Sequence, residues 1–316
     1  MISVNDDLFL GVDCGATKIM VQSGFLSSDS NKIIPGPINQ EYHYSDHPDW
    51  NEHYDPVPID IQRFEHASDN ISLEEEEIKQ GNVIIDTIVE SIADIDDHKI
   101  GLCFPGIKDD KGVTIMANGP RIPELNDRIN KIETILNDSD CCVLGEWKST
   151  IGKMQDMHNG IYIGGGTGIA DGVIVDGNLL DLNKVEGLPR SWEMNINTKE
   201  TVESRLSPAG IIRRYNKSNG SKITTLIDLS NENAFNEIIQ KALDAFSLLV
   251  KNRIQFFEMR GKTIQGVVIG HRLGQFLKNS DPVFKEEFQK RTKIPIKLSN
   301  DRRTAALGAA MAIACS

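Results

Sequence analysis

The chain has 316 residues, of which 39% are hydrophobic and 25% are charged, as is typical of a globular protein. Its net charge of −12 and its lack of a basic stripe argue against nucleic acid as a general partner. No apolar run is long enough to cross a bilayer and the acidic N-terminus is unlike a signal peptide, so we expect no membrane partner. The five cysteines lack CxxC spacing, which favours reduced thiols and a cytoplasmic protein.

The predicted elements alternate between strands and helices, which indicates an α/β fold, and the length favours two domains. Residues 8–26 form a predicted β-hairpin, and weak strand signals follow in IIPGPI and VPIDIQRF. Helical spacing then covers residues 73–93. The later predicted elements are, in order, two strands joined by a Pro-Gly turn over 98–115, a short helix over 128–137, a strand over 141–144, a helix over 147–155, a second glycine hairpin from 160, a long helix over 233–258, a buried strand over 263–270 and an Ala-rich helix over 301–314.

Two glycine-rich hairpins, one in each half of the chain, give the strongest functional signal. The first contains Asp13-Cys-Gly-Ala-Thr-Lys18, and the second contains GGGTG at 164–168. Glycine tips adopt positive φ and expose N–H groups, which makes them anion-binding concavities. Asp13 lies where a carboxylate can hold Mg²⁺, although a turn-capping role is the alternative. The repeated pattern predicts a phosphate held between two related lobes.

Together these motifs resemble the ROK family of sugar kinases, in the sugar kinase/actin/Hsp70 superfamily. The first hairpin resembles the family's DxGGTK phosphate motif, and GGGTG with the following IADGVIVDG resembles its second phosphate motif. GVVIGHRLGQFL is similar to the adenosine motif, and TAALGAAMAIA is similar to the C-terminal helix. The resemblance implies two actin-like, ribonuclease H-like lobes with a ligand cleft between them. We expect a small lobe of residues 1–117 plus 301–316 and a large lobe of residues 118–300.

The resemblance further implies ATP-dependent phosphorylation of a sugar or amino-sugar hydroxyl, with ATP and Mg²⁺ as cofactors. The segment GLCFPGIKDDKGVTIMANGP is similar to the family segment that supplies an Asn to the sugar, here Asn118 with Gly119 beside it. Asp13 would hold Mg²⁺ through the nucleotide, and Gly270 would lie near the base. The nucleotide-binding residues implied are Asp13, Gly15, Thr17, Lys18, Gly165, Gly166, Thr167, Gly168 and Gly270.

The catalytic base is the first place where the chain departs from the family pattern. The family has an Asn-Asp pair at the end of a strand before a helix, and that Asp is its base. With a strand over 141–144, the pair Gly145-Glu146 falls at this position. Glu146 is therefore the predicted base, and a cap for the following helix is the alternative.

The acceptor segment departs further from the family. The family has Gly-Glu-x-Gly-His after its second hairpin, followed by a Cys-rich zinc loop. The corresponding residues 186–210 contain neither Cys nor His, so we expect no zinc. Arg190 would stand near the family's Glu and Glu193 near its His, forming a different acceptor pocket with Trp192. Ala16 and His271 each replace a family glycine.

Two functional classes are compatible with these patterns: a sugar kinase with an altered acceptor pocket, and a non-catalytic sugar- or nucleotide-binding sensor of the same fold. The family's repressors have an N-terminal helix-turn-helix, whereas seven residues precede the first predicted strand, so we expect no DNA binding by that route. His43, His47 and His53 match no tight zinc pattern and predict an exposed loop. The helix over 233–258 is expected to provide core and a homodimer surface.

Overall fold

The computed structural model describes residues 4–95, 98–129, 131–182, 184–229, 235–279 and 282–315. The chain forms two compact units: unit 1 comprises Met1–Ile151 and Arg303–Ser316, and unit 2 comprises Gly152–Arg302. The boundary follows Ile151 rather than residue 117, because the intervening strand pairs within the sheet of unit 1 and the helix after it packs in the same unit.

Unit 1 contains most of its elements in the first half of the chain. In chain order they are β1 (Val4–Cys14), β2 (Lys18–Ser27), β3 (Ile33–His43), α1 (Ile59–Ala67), α2 (Glu75–Ser91), β4 (Lys99–Phe104), β5 (Ile107–Lys108), β6 (Val113–Ile115), α3 (Leu125–Arg128), β7 (Ile132–Asn137) and α4 (Asp138–Lys148).

Unit 2 follows, and one further helix then completes unit 1. The elements of unit 2 are β8 (Gly160–Gly165), β9 (Ile169–Val175), β10 (Asn178–Leu179), α5 (Val202–Leu206), α6 (Pro208–Asn219), α7 (Leu226–Leu229), α8 (Phe235–Glu258), β11 (Gly266–Gly270), α9 (His271–Asn279), α10 (Pro282–Lys290) and β12 (Ile296–Leu298). The last helix, α11 (Thr304–Ala314), belongs to unit 1.

The two units repeat one sheet topology. The strand order is β3-β2-β1-β4-β7 in unit 1 and β10-β9-β8-β11-β12 in unit 2. In each sheet the first three strands are antiparallel and the last three are parallel. This repetition confirms the α/β fold and the half-chain duplication that the glycine hairpins predicted.

Glycines allow the C-terminal helix to pack closely in unit 1. A Cβ at Gly11 of β1 would collide with the backbone of Ala306 in α11. Gly145 of α4 meets the backbone of Thr304 in the same way, and Gly308 of α11 meets that of Cys141. Backbone-to-backbone contact of this kind excludes any side chain at these positions.

Several short elements differ from the sequence-based predictions. The segment VPIDIQRF contributes to the helix α1 rather than to a strand, and Pro58 at its N-cap has φ −53°, which suits a helix start. The predicted helix over 128–137 is mainly the strand β7, and the predicted strand over 141–144 is the middle of α4. Residues 233–234 of the predicted long helix lie outside the described residues. No described helix combines the length and apolar character needed to cross a membrane.

Candidate active site

Three parallel strands of unit 1 end at one edge of its sheet. Asp13 of β1 pairs with Cys103 of β4, and Phe104 at the end of β4 pairs with Asn137 at the end of β7. The chain continues from Asn137 directly into α4 through Asp138. Because the carboxyl ends of parallel strands share an edge, the sheet brings the neighbourhoods of Asp13 and Asp138 to the same side.

Asp13 lies within β1, ahead of the hairpin turn. The Cys103 thiol donates a hydrogen bond to its Oδ1 atom over 3.1 Å. A hydrogen bond with Cys141, burial and the negative charge of Asp13 raise the pKa of Cys103 well above its usual value. The thiol therefore keeps its proton and orients the Asp13 carboxylate.

The strand end before α4 has Asn137-Asp138, not Gly145-Glu146. Asn137 is the N-cap of α4, and the amide of Ser139 donates to the Asp138 Oδ1 atom over 2.7 Å. Glu146 lies inside the helix with 1% of its surface exposed. The prediction that Glu146 follows a strand is therefore wrong, because the apolar run over 141–144 is helical. The Asn-Asp pair of the family pattern is present earlier in the chain, as Asn137-Asp138.

Lys108 adds a cation at the same sheet edge. Its Nζ atom donates to the carbonyl of Phe104 over 2.7 Å and to that of Gly106 over 3.1 Å. Burial lowers the pKa of Lys108, while the negative charges of Asp138 and Asp140 oppose this shift. No pattern in the sequence predicts a role for Lys108, and its separation of four residues from Phe104 is not itself a recognisable pattern.

The turn of the first hairpin is held by Tyr44. The Gly15 amide donates to the Lys18 carbonyl over 2.9 Å, and the Tyr44 hydroxyl donates to the Gly15 carbonyl over 3.1 Å. Thr17 is exposed, whereas the Lys18 ammonium forms an ion pair with Glu41 on β3. A phosphate at this turn would therefore compete with Glu41 for Lys18.

The turn of the second hairpin follows β8. None of the described glycines at the two turns has positive φ, so the expected left-handed conformation is absent there. Close approach explains two of them: a Cβ at Gly165 would lie 2.6 Å from Leu273, and one at Gly168 would lie 2.7 Å from the Glu203 carboxylate. Glu203 accepts a hydrogen bond from the Ile169 amide over 2.9 Å. No sequence pattern predicted this carboxylate beside the glycine turn.

Gly270 is covered by a buried aromatic ring. A Cβ at Gly164 or at Gly270 would lie 2.6 Å from the Tyr162 hydroxyl. His271 follows with φ +55°, a conformation that favours glycine, and its ring lies 6.5 Å from that of Tyr162. Packing against Tyr162 thus accounts for Gly270 within the described residues of unit 2.

The segment with Asn118 and Gly119 is held by a buried arginine. Asn118 is exposed and Gly119 is buried. Arg121 is fully buried, and its Nε and Nη2 atoms each donate over 2.8 Å to the two oxygens of Glu77 in α2. Arg121 also pairs with Glu65 of α1. A bidentate pair of this kind fixes the backbone that follows Asn118.

Arg190 and Glu193 lie in one turn between β10 and α5. The Arg190 amide donates to the Glu193 Oε2 atom over 2.9 Å, and the Glu193 amide donates back to the Arg190 carbonyl over 2.9 Å. Arg190 is 9% exposed, while Glu193 is exposed. The structure brings these two predicted residues together within unit 2.

The segment that would hold zinc in the family is held here by Glu200. Its carboxylate accepts from Arg205 Nη2 over 2.6 Å, from Asn197 over 2.9 Å and from Arg214 over 3.2 Å. The hydrogen bond from Arg205 lowers the pKa of Glu200 to about 2. With no Cys or His available, these residues do not fit a zinc ion. Over the described ranges, no group of three or more His, Cys, Asp or Glu side chains is arranged to hold a metal.

No protein-family model matches the chain, and no curated protein matches it. Solved structures do. The ROK-family glucokinase of Streptomyces griseus, solved with glucose and AMPPNP, has a TM-score of 0.63 at 15% identity, covering 96% of this chain and 98% of that chain. The ROK hexokinase of Thermus thermophilus has a TM-score of 0.58 at 17% identity, covering 96% of this chain and 97% of that chain.

The structure of a regulator is similar to this chain to the same degree. A ROK-family transcriptional regulator, a homolog of the E. coli MLC protein, has a TM-score of 0.60 at 14% identity, covering 96% of this chain and 77% of that chain. Identities this low show a common fold. The resemblance found in the sequence is confirmed at that level: the chain has the fold of the ROK-family sugar kinases and regulators.

Proposed function

We propose that the protein is an ATP-dependent sugar kinase of ROK type with an altered acceptor pocket. The observation that supports this best is the pair Asn137-Asp138 at the end of β7. β7 pairs with β4, and β4 pairs with β1, which contains Asp13. This is the strand-end pair that the family resemblance requires. The glucokinase neighbour, solved with glucose and AMPPNP, supports the same activity.

Asp138 is our proposed general base. It would accept the proton of the acceptor hydroxyl as that oxygen attacks the transferred phosphoryl group. The Ser139 amide donates to the Asp138 Oδ1 atom, which fixes the carboxylate at the N-terminus of α4. We assign Glu146 a packing role inside α4 in place of the base role first predicted for it.

Each unit has a proposed phosphate-binding turn. In unit 1, Gly15, Thr17 and Lys18 would bind phosphate oxygens, and Lys18 would leave Glu41 to do so. In unit 2, the turn Gly165–Gly168 would offer the Thr167 hydroxyl and backbone amides, with Gly270 nearby. Mg²⁺, when bound, would neutralise charge on the phosphates, and Asp13 would hold it directly or through water.

The proposed acceptor is a sugar or amino sugar. Asn118, with Gly119 at its side, would bind a hydroxyl in unit 1, and Arg190 and Glu193 would bind hydroxyls in unit 2. Trp192 offers a ring for stacking on a sugar face. We propose that the segment works without zinc, because Glu200 with its two arginines holds it instead.

The experiment is an ADP-release screen with purified protein, Mg²⁺-ATP and a panel of hexoses, N-acyl hexosamines and polyols. Acceptor-dependent ADP release above the ATPase background supports the kinase. The Asp138→Asn variant is the matched negative, and Glu146→Gln is the control because it alters a carboxylate of the same helix. If no acceptor in the panel stimulates ADP release, the kinase proposal fails for these classes.

A non-catalytic sugar or nucleotide sensor is the second candidate. It is favoured by the regulator among the structural neighbours and by the replacement of the family's acceptor Glu and His. A sensor would bind a sugar without turnover. Calorimetric binding of an acceptor that yields no ADP would therefore support the sensor over the kinase.

A further inference from the structure

A buried ion pair joins the second glycine hairpin to the long helix of unit 2. Arg253 of α8 donates from Nη2 to the Asp171 Oδ2 atom of β9 over 2.5 Å. The two side chains are 0% and 2% exposed. Both charges are therefore removed from water, which is costly unless each finds further polar partners.

Those further partners lie in the acceptor segment. Arg253 Nη2 also donates to the Pro189 carbonyl over 2.7 Å, and the Ser191 amide donates to Asp171 Oδ1 over 3.3 Å. The two bonds reach the backbone on either side of Arg190. The charge pair thus holds the residue that is proposed to bind the acceptor.

The same segment is tied to the glycine turn. The Ser191 hydroxyl donates to the Ile169 carbonyl over 3.4 Å, and the Ser191 carbonyl accepts from the Glu203 amide over 3.1 Å. Glu203 in turn accepts from the Ile169 amide. Asp171 lies two residues beyond Ile169 on the same strand. One network of hydrogen bonds within unit 2 therefore links the second glycine turn to the acceptor segment.

We propose that Asp171 and Arg253 are positioning residues that fix the segment 189–193 for acceptor binding, an inference that rests on the proposed kinase function. A buried ion pair is seldom more stabilising than well-packed apolar residues of similar volume. The ion pair fixes the geometry of the segment, because each partner also forms a hydrogen bond with the backbone of the segment. Both side chains are buried, so we expect each to act through Arg190, Trp192 and Glu193.

The test compares four variants with wild type. Arg253→Met leaves Asp171 buried without its ion-pair partner and is expected to lower stability. The double variant Asp171→Leu/Arg253→Met removes both charges, which avoids an unpaired buried charge and keeps a folded protein to assay. Arg291→Met is the control, because it breaks an Arg–Asp pair with Asp244 on the exposed side of unit 2.

We expect the double variant to raise the KM for the acceptor about tenfold or more, because a displaced binding group loses its geometry. The KM for ATP should stay within about twofold, as for Arg291→Met. Arg253→Lys should recover part of the acceptor KM, since the lysine ammonium keeps the charge that pairs with Asp171 but differs in size and reach from the guanidinium whose Nη2 atom also donates to Pro189. Hydrogen exchange of the amides in 190–193 should be faster in the double variant.

The outcomes separate this inference from the kinase proposal. Unchanged exchange over 190–193 would overturn the inference, whatever the kinetics. Faster exchange with an unchanged acceptor KM would also overturn it, because the pair would then serve stability alone. If wild type shows no turnover, the kinase proposal fails, and calorimetric acceptor affinity replaces KM in the same comparison.

Discussion

The two units present their candidate side chains on different kinds of backbone. In unit 1, Asp13 lies in β1 and Asp138 directly follows Asn137 at the end of β7, so the hydrogen-bond ladder of the sheet sets the backbone position of both. In unit 2, Arg190 and Glu193 lie in an irregular segment, where side chains such as Arg253 supply the missing order. Secondary structure thus positions the strand ends of unit 1, here called the rigid region. In our proposal a buried charge pair positions the acceptor segment of unit 2, here called the variable region.

This difference explains where the chain keeps the family's residue pattern and where it departs from it. A strand end leaves little freedom, and there Asn137-Asp138 matches the family pair. A loop tolerates substitution because few of its backbone hydrogen bonds belong to a ladder. There Arg190 and Glu193 are expected in place of the family's Glu and His, and residues 186–210 contain neither Cys nor His. We infer that the proposed chemistry belongs to the rigid region and the acceptor choice to the variable one.

Asp13→Ala should have the largest effect on the rigid region. We expect Mg²⁺-ATP-dependent turnover to be lost, because the carboxylate proposed to hold the metal is removed. The fold should persist, since Asp13 is not fully buried and alanine fits the strand. ADP release and thermal melting measure the two effects, with Asp60→Ala on exposed α1 as the control. Turnover equal to wild type would remove Asp13 from the nucleotide site.

Glu200 makes the variable region sensitive to acid. Its pKa is lowered from 4.5 to about 2, so its stabilisation is fully present above pH 4.5 and is lost as pH falls through 2. Glu200→Gln should lower the melting temperature at pH 7, and its difference from wild type should shrink between pH 4.5 and 2. Glu237→Gln, which breaks an exposed pair with Lys241, is the control.

EDTA provides the companion measurement. We expect it to leave the melting temperature unchanged at pH 7, because the segment held by the Glu200 network contains neither Cys nor His. A melting temperature that falls with EDTA, or a Glu200→Gln difference that is constant across pH, would contradict this account of the acceptor segment.

His271→Gly should have the smallest effect. Glycine relieves the strain of φ +55°, about 1 kcal/mol or more, but costs backbone entropy of about 0.5–1 kcal/mol and the contact with Tyr162. The free energy of unfolding should therefore change by less than about 1 kcal/mol, as measured by urea denaturation. His271→Ala keeps the strain and loses the ring, so it should be less stable than the glycine variant. The reverse order would show that the backbone at 271 is not strained.

The sequence predicted both glycine hairpins, the helices near α2, α8 and α11, and the strand β11. These elements have long or strongly patterned apolar runs, so local periodicity was sufficient. The duplicated sheet topology follows from the same hairpins. The resemblance to ROK kinases rested on these segments and holds at the level of fold.

The segment from 128 to 148 could not be predicted in the same way. Short apolar runs fit either a strand or a helix, and the isoleucines of β7 happen to recur at helical spacing. The signal that was present is Asn137 followed by Asp138 and Asp140, an N-cap with an acidic first turn. The hydrogen bonds made by Glu203 and Arg253 join residues far apart in the chain, so patterns in a single sequence do not predict them.

Single-turnover phosphate transfer tests the central claim most directly. At saturating Mg²⁺-ATP and with the acceptor found in the screen, Asp138→Asn should slow transfer by roughly 10²–10⁴-fold, the contribution of a positioned base, while ATP affinity is unchanged. Glu146→Gln, a carboxylate variant of the same helix, should transfer at close to the wild-type rate. An Asp138→Asn variant as fast as wild type, or a Glu146→Gln variant slowed by 10² or more, would contradict the assignment of the base to the end of β7.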